Sequence, residues 1–221
     1  MSFPNHIAII PDGNRRWAKK RHLLPWHGHK HGAERFREIA TYALKANIPY
    51  LTFWAASEDN LTKRNKAEVK FLTLLLKNFL KKELENKTFI KNKIRIRIIG
   101  RWRELLKDKN LENLIKELEK ATSEGRKNLT ILFGYDGRQE MLSAIKKGGI
   151  NFEKYLLTAD LPPVDFVIRT GGEPHWSAGF MMWRTADSQF YFTKTLWPDF
   201  NKNHFKKSLA DFSKRARRFG S

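Results

Sequence analysis

Apolar residues along this chain fall into two alternating rhythms. Short runs at Ile7–Ile10, Tyr50–Ala55, Leu129–Phe133 and Val164–Ile168 are apolar at nearly every position, with single interruptions at Thr52, Thr130 and Asp165. Strands buried on both faces of a parallel sheet read this way. Between them lie longer stretches whose apolar residues recur every three or four positions, the period of a helix packed on one side. Gly32–Ala46 carries Ala33, Phe36, Ile39, Ala40, Ala43 and Leu44. Lys66–Leu84 carries Val69, Leu72, Leu76, Phe79 and Leu80, the strongest such stripe. Leu111–Leu118 and Arg138–Lys147 repeat the pattern, and a basic helix with Phe205, Leu209 and Phe212 closes the chain. Ile94, Ile96 and Ile98 alternate with Arg95 and Arg97, which predicts a strand with one wet face or a place near a sheet edge. Phe190–Phe192 is a candidate sixth strand. The order of elements predicts an α/β fold: one domain over residues 1–221, with a largely parallel six-stranded sheet flanked by helices.

Composition narrows the picture without deciding it. The chain is 41% hydrophobic and has no cysteine, which excludes a disulfide framework, a thiolate metal site and a cysteine nucleophile. No signal segment is visible, and no run approaches the ~18 apolar residues of a membrane span. A cytoplasmic protein is expected, with peripheral contact to an anionic membrane face rather than a span across it. The net charge is +20, from 43 basic and 23 acidic residues. That excess suits a polyanionic partner: a phosphorylated small molecule, an anionic membrane or nucleic acid. Lysines such as Lys81, Lys82, Lys87, Lys91 and Lys93 are spread over helix faces, and no nucleic-acid-binding motif occurs, so nucleic acid is not expected.

Ligands of such sheets bind beyond the carboxyl ends of the strands. That rule selects Asp12-Gly13-Asn14, Ser57-Glu58-Asp59-Asn60 and Arg169-Thr170-Gly171-Gly172-Glu173, all rich in groups that bind anions or metals. In "IAIIPDGNRRWAKKR" one carboxylate stands among turn formers and cations. Asp12 could cap the helix that follows. Alternatively, helix-start amides with Arg15 and Arg16 bind phosphate, and Asp12 holds a divalent cation against it. "HGHKHG", His27 to Gly32, reads as a polar loop before a helix, with phosphate contact by His29 or Lys30 the next reading. Arg169 either faces a diphosphate or pairs with Glu173. Phe71, Leu72, Leu75, Leu76 and Phe79, opposed by Phe53, Trp54 and Phe133, form an ordinary core or line a tunnel for a long apolar ligand. No GxxxxGK[ST] loop is present.

These segments resemble, in order, the motifs of the cis-prenyltransferases, the family of undecaprenyl diphosphate synthase. "HIAIIPDGNRRWAKKR" is similar to its opening motif, "GHKHGAERF" to its GHxxG segment, "LTFWAASEDN" to its second-strand motif, "VDFVIRTGGE" and "FYFTKTLWPDF" to its late motifs, and "RARRFG" to its C-terminal Arg-x-Gly. The resemblance implies a homodimer with a hydrophobic tunnel. It also implies Mg²⁺-dependent condensation of isopentenyl diphosphate onto an allylic diphosphate. By that resemblance Asp12 holds the metal, and Gly13, Asn14, Arg15, Arg16 and Trp17 cradle the allylic diphosphate with His29 nearby. Ser57 and Asn60 orient substrate and assist proton removal, and Arg64 stands for the Arg of an Asn-Arg-Pro motif. Arg169 and Ser177 bind isopentenyl diphosphate, while Arg218 and Gly220 complete the partner subunit's site.

Departures cluster on the isopentenyl side. Pro174-His175-Trp176 intervenes before Ser177 where the family has an Arg. Gln189 stands where the family places a metal-binding Glu, and Pro25 near the place of an Arg before GHxxG. Two alternatives follow: irregular coupling of two allylic diphosphates, as in lavandulyl-type synthases, or a weakly catalytic subunit of a heteromer.

Overall fold

A computed structural model describes residues 3–215 of the chain. In chain order it runs β1 (His6–Ile10), α1 (Asn14–Lys19), α2 (Pro25–Lys45), β2 (Tyr50–Ser57), α3 (Glu58–Thr62), α4 (Lys66–Asn86), α5 (Thr88–Lys91) and β3 (Ile94–Ile99). Then follow α6 (Trp102–Leu106), α7 (Lys109–Ala121), β4 (Lys127–Tyr135), α8 (Gly137–Gly148), β5 (Phe166–Arg169), β6 (Gln189–Phe192) and α9 (Lys202–Lys214). The six strands form one all-parallel sheet in the order β3-β4-β2-β1-β5-β6.

The burial of each strand follows its place in that order. β1 is buried at every position and lies between β2 and β5, so both of its faces and both of its edges are covered. Ile7 and Ile9 join the larger core, with Phe36 and Ile39 of α2, Leu72 and Leu76 of α4, Ile115 of α7 and Phe205 of α9. Ala8 and Ile10 point to the opposite core, with Trp54, Leu132, Val167, Phe180 and Met181. β3, which alternates Ile with Arg, is an edge strand; Arg95 is exposed and Arg97 reaches Asp160 at 3.2 Å. Charged residues on an edge discourage further strand pairing.

Two expectations change. His27–Gly32 is not a loop: α2 starts at Pro25, and the histidines lie in its first two turns. Proline at the first helical position costs no hydrogen bond and presets φ, so the helix extends back over the polar segment. Second, Trp54 turns to the face opposite the Lys66–Asn86 helix, where its ring lies 5.0 Å from Phe180. Adjacent strand residues point to opposite faces, so Phe53 and Trp54 cannot line one pocket together.

Candidate active site

The carboxyl ends of β1, β2 and β5 converge. Beyond β1 the chain turns through Gly13, whose φ of 107° is open to glycine and strained for other residues. A Cβ there would also stand 2.7 Å from Leu196 Cδ2. The turn is stapled from the β5 side. Asp12 N–H donates to Thr170 Oγ1 (2.9 Å), and the Asp12 carbonyl accepts from the Trp197 amide (3.0 Å).

Asp12 does not cap α1, whose first turn carries no side-chain cap. Its carboxylate faces inward between two guanidinium groups: Arg16 Nη2 at 3.0 Å and Arg169 Nη2 at 3.2 Å. Arg169 is the last residue of β5 and is buried, so its charge needs a partner. Asp12 supplies it. Glu173 instead reaches Arg16, at 3.5 Å, so of the two readings of Arg169 the pairing with Glu173 is not the one formed. Burial lowers the Arg169 pKa, and the Asp12 charge offsets part of that effect. Arg169 Nη1 also donates to the His175 carbonyl (2.9 Å) and to Ser177 Oγ, so the segment that departs from the family motif still wraps this arginine. Arg169 Nε is buried without a partner.

Opposite stands a group that sequence reading left unassembled. His29, on α2, pairs through Nε2 with Glu68 Oε1 of α4 at 2.9 Å, and Arg64 Nη1 donates to the same oxygen at 2.7 Å. Burial pushes the His29 imidazole below its ordinary 6.5. Burial also works to raise the Glu68 carboxyl, but the His29 hydrogen bond and the Arg64 charge outweigh it and hold the group below the usual range. Glu68 was missed because it lies 39 residues from His29. The available signal was its i,i+4 spacing from Arg64.

Ser57 and Asn60 form a reciprocal capping box at the start of α3. Ser57 Oγ accepts from the Asn60 amide (3.1 Å), and Asn60 Oδ1 accepts from the Ser57 amide (3.3 Å). Both line a polar cavity of about 360 Å³ with Asp12, Asn14, His29, Arg64, Arg169 and Ser177. Two sites adjoin it. An open mouth of about 850 Å³ is lined by Gly13, Arg15, Arg16, Lys19 and Arg64 among others. An apolar pocket of about 90 Å³ is lined chiefly by Phe36, Phe53, Leu72, Leu76, Phe79 and Phe133. Pro11, Asn14 and His29 border all three. Phe71 does not line the apolar pocket. Trp197, which donates to the Gly32 carbonyl at 2.8 Å, lines it unforeseen.

Two expected residues stand apart. Trp17 is buried against Asp199, to which its Nε1–H donates at 2.7 Å, so its role here is structural. Gln189 pairs across the sheet with Phe166, which pairs with Ile7, so it lies at the opposite strand end from Asp12. One chain therefore does not bring Gln189 and Asp12 together. Arg218 and Gly220 lie outside the described residues. Among those described, no three His, Asp or Glu side chains converge as a ready cation site. One inward carboxylate, with Asp59 lining the same cavity, fits a hard cation that takes most of its ligands from diphosphate oxygens and water.

A parallel α/β sheet with an arginine-rich anion cradle that opens on an apolar pocket defines a prenyl-transferring enzyme. Comparison with known proteins agrees: a family model described as putative undecaprenyl diphosphate synthase matches residues 10–220, and the chain belongs to that family. The isoprenyl transferase of Thermotoga maritima is 40% identical over 100% of this chain and 98% of its own, and that of Aquifex aeolicus is 38% identical over 100% and 97%. Among solved structures, lavandulyl diphosphate synthase from Lavandula x intermedia, in complex with dimethylallyl diphosphate, matches with a TM-score of 0.88. It is 30% identical and covers 99% of both chains.

Proposed function

We propose that this enzyme condenses isopentenyl diphosphate with an allylic prenyl diphosphate, in the presence of Mg²⁺, to give a cis-polyprenyl diphosphate. The observation that carries the reading is the junction at Pro11, Asn14 and His29, where an arginine-lined mouth, a polar cavity and an apolar pocket meet. Such a junction suits a ligand with a diphosphate head and a hydrocarbon tail. Arg15, Arg16 and Arg64 would bind the allylic diphosphate and stabilise it as a leaving group while the allylic C–O bond breaks toward a carbocation. Arg169 and Ser177 would hold the second diphosphate, so that the homoallylic alkene meets the cation in one geometry. Asn60 and Ser57, fixed by their capping box, would orient the carbon that loses its proton. Mg²⁺, held by Asp12, would neutralise charge on the second diphosphate.

The parallel with the isoprenyl transferases supports regular elongation. A second reading, coupling of two allylic diphosphates, draws on the structural likeness to lavandulyl diphosphate synthase and on the altered segment around His175. In either case a homodimer fits the exposed apolar residues Leu142 and Ile145 of α8 and the adjoining Ile150. The deciding experiment is incubation with labelled isopentenyl diphosphate, Mg²⁺ and starters of two to four isoprene units, followed by product sizing. Incorporation of label into lengthened products is expected. Consumption of dimethylallyl diphosphate alone, with no label incorporated, would overturn elongation in favour of coupling.

A further inference from the structure

The connection between α1 and α2 carries features that the reaction does not use. Leu23 and Leu24 are 39% and 53% exposed, and Trp26, in the first turn of α2, is 44% exposed. Three large apolar side chains within four positions make an uncovered knuckle, beyond the scattered exposure of ordinary surfaces. Its surroundings are mainly basic, with the Asp199 carboxylate paired to Arg21. Between Asp12 and Glu34 the chain has six Lys and Arg residues (Arg15, Arg16, Lys19, Lys20, Arg21 and Lys30), four histidines and no carboxylate. Lys19, Lys20, Arg21 and Lys30 are exposed. Arg21 lies over the Trp17 ring and reaches Asp199 at 3.4 Å, while Lys19, Lys20 and Lys30 make no ion pair among the described residues.

We propose that this knuckle docks the enzyme on an anionic lipid bilayer, with Leu23, Leu24 and Trp26 entering the interface and the surrounding cations resting on the headgroups. Apolar side chains with a tryptophan, ringed by unpaired lysines, match a surface that is negative outside and apolar just beneath. Tryptophan suits that boundary because its ring is apolar and its N–H is polar. A protein groove would match the apolar residues but does not call for the excess of unpaired lysines around them. Placement adds to the case: Lys19, His22, Leu23 and Pro25 are also rim residues of the open mouth. Docking there sets the mouth against the membrane, where a molecule with a long hydrocarbon tail can pass between protein and lipid. The docking itself does not depend on which reaction the site performs.

The test is flotation of the full chain with phosphatidylcholine vesicles, with and without phosphatidylglycerol, compared with a Leu24→Ser/Trp26→Ser variant. Leu24 is the N-cap of α2, where serine is a preferred residue, so the variant is expected to keep its helix and its thermal unfolding temperature. The parent should float with the anionic vesicles. The variant should lose on the order of tenfold in partitioning, with turnover of short soluble substrates unchanged. Equal flotation of parent and variant would overturn the proposal, since charge alone would then explain binding. A change in the variant's mass on size-exclusion chromatography would also overturn it, by making the knuckle an interface between copies. Loss of prenyl transfer in the parent would bear on the proposed reaction and leave the docking result intact.

Discussion

Asp12 holds two arginines in place of a helix cap, and that arrangement sets what its removal does. In Asp12→Ala both guanidinium groups keep other partners, Glu173 for Arg16 and the His175 carbonyl for Arg169. The fold should therefore survive, with a loss of about 1–3 kcal/mol because Arg169 is buried. Steady-state turnover should fall by about 100-fold or more, as when a preorganised electrostatic group is removed. A folded, fully active Asp12→Ala protein would refute its role. The carboxylate was legible in sequence because Pro, Gly and Asn after an apolar run mark a strand end, and the arginines beside it are local. Glu68 was not legible. Its function is to neutralise Arg64 and orient His29, and only the docking of α4 on α2 makes those three neighbours.

The long helices were readable from their stripes, but their ends were not, and the short α3, α5 and α6 have too few turns to show a stripe. α2 begins seven residues before Gly32 because Pro25 starts it, while a polar first two turns gives no apolar period to detect. The fit of α2 against the cradle turns on Gly28. A Cβ at this position would lie 2.0 Å from the Asn14 carbonyl oxygen, a backbone atom that cannot swing aside. Gly28→Ala should push α1 away from α2, cost about 1–3 kcal/mol in urea unfolding, and raise KM for the allylic substrate more than it lowers kcat. The pocket side of α2, where it meets α4, makes a different expectation. Phe79 sits between Phe36 (5.5 Å between ring centroids) and Phe89 (6.1 Å), closing the apolar pocket. Phe79→Ala should lengthen the product distribution seen by chromatography, at a stability cost of about 3 kcal/mol. An unchanged distribution would mean that the tail takes another path.

At the scale of the whole molecule, the apolar runs marked the strands of a parallel sheet but not their order, and the alternation of Ile and Arg in β3, read as a wet face or a place near an edge, belongs to an edge strand. What escaped sequence reading was which strand face each aromatic occupies, as Phe53 and Trp54 show. The buried histidines also set how the fold responds to acid. His6 is fully buried between Thr52 Oγ1 (2.8 Å) and the Pro162 carbonyl (2.9 Å), and burial lowers its pKa to about 4. The unfolded chain protonates this group near 6.5, so the native state binds fewer protons between those values. The stability His6 contributes is full above pH 6.5 and is lost as pH falls from 6.5 toward 4, by about 3 kcal/mol in all. His29, also lowered by burial, acts in the same direction. Urea midpoints at pH 7, 5.5 and 4.5 should fall steadily, and His6→Gln should flatten that slope. A midpoint constant to pH 4.5 would refute it.

The placement of β1 has a further consequence, for synthesis. This strand is made before the other five, and one of its two neighbours, β5 (Phe166–Arg169), follows only about 160 residues later. At roughly 5–20 residues per second, the nascent chain carries a largely apolar strand with one open edge for about ten to thirty seconds. The sheet cannot close from its centre outward until most of the chain exists, so the window for misassembly lies in translation rather than in the finished fold.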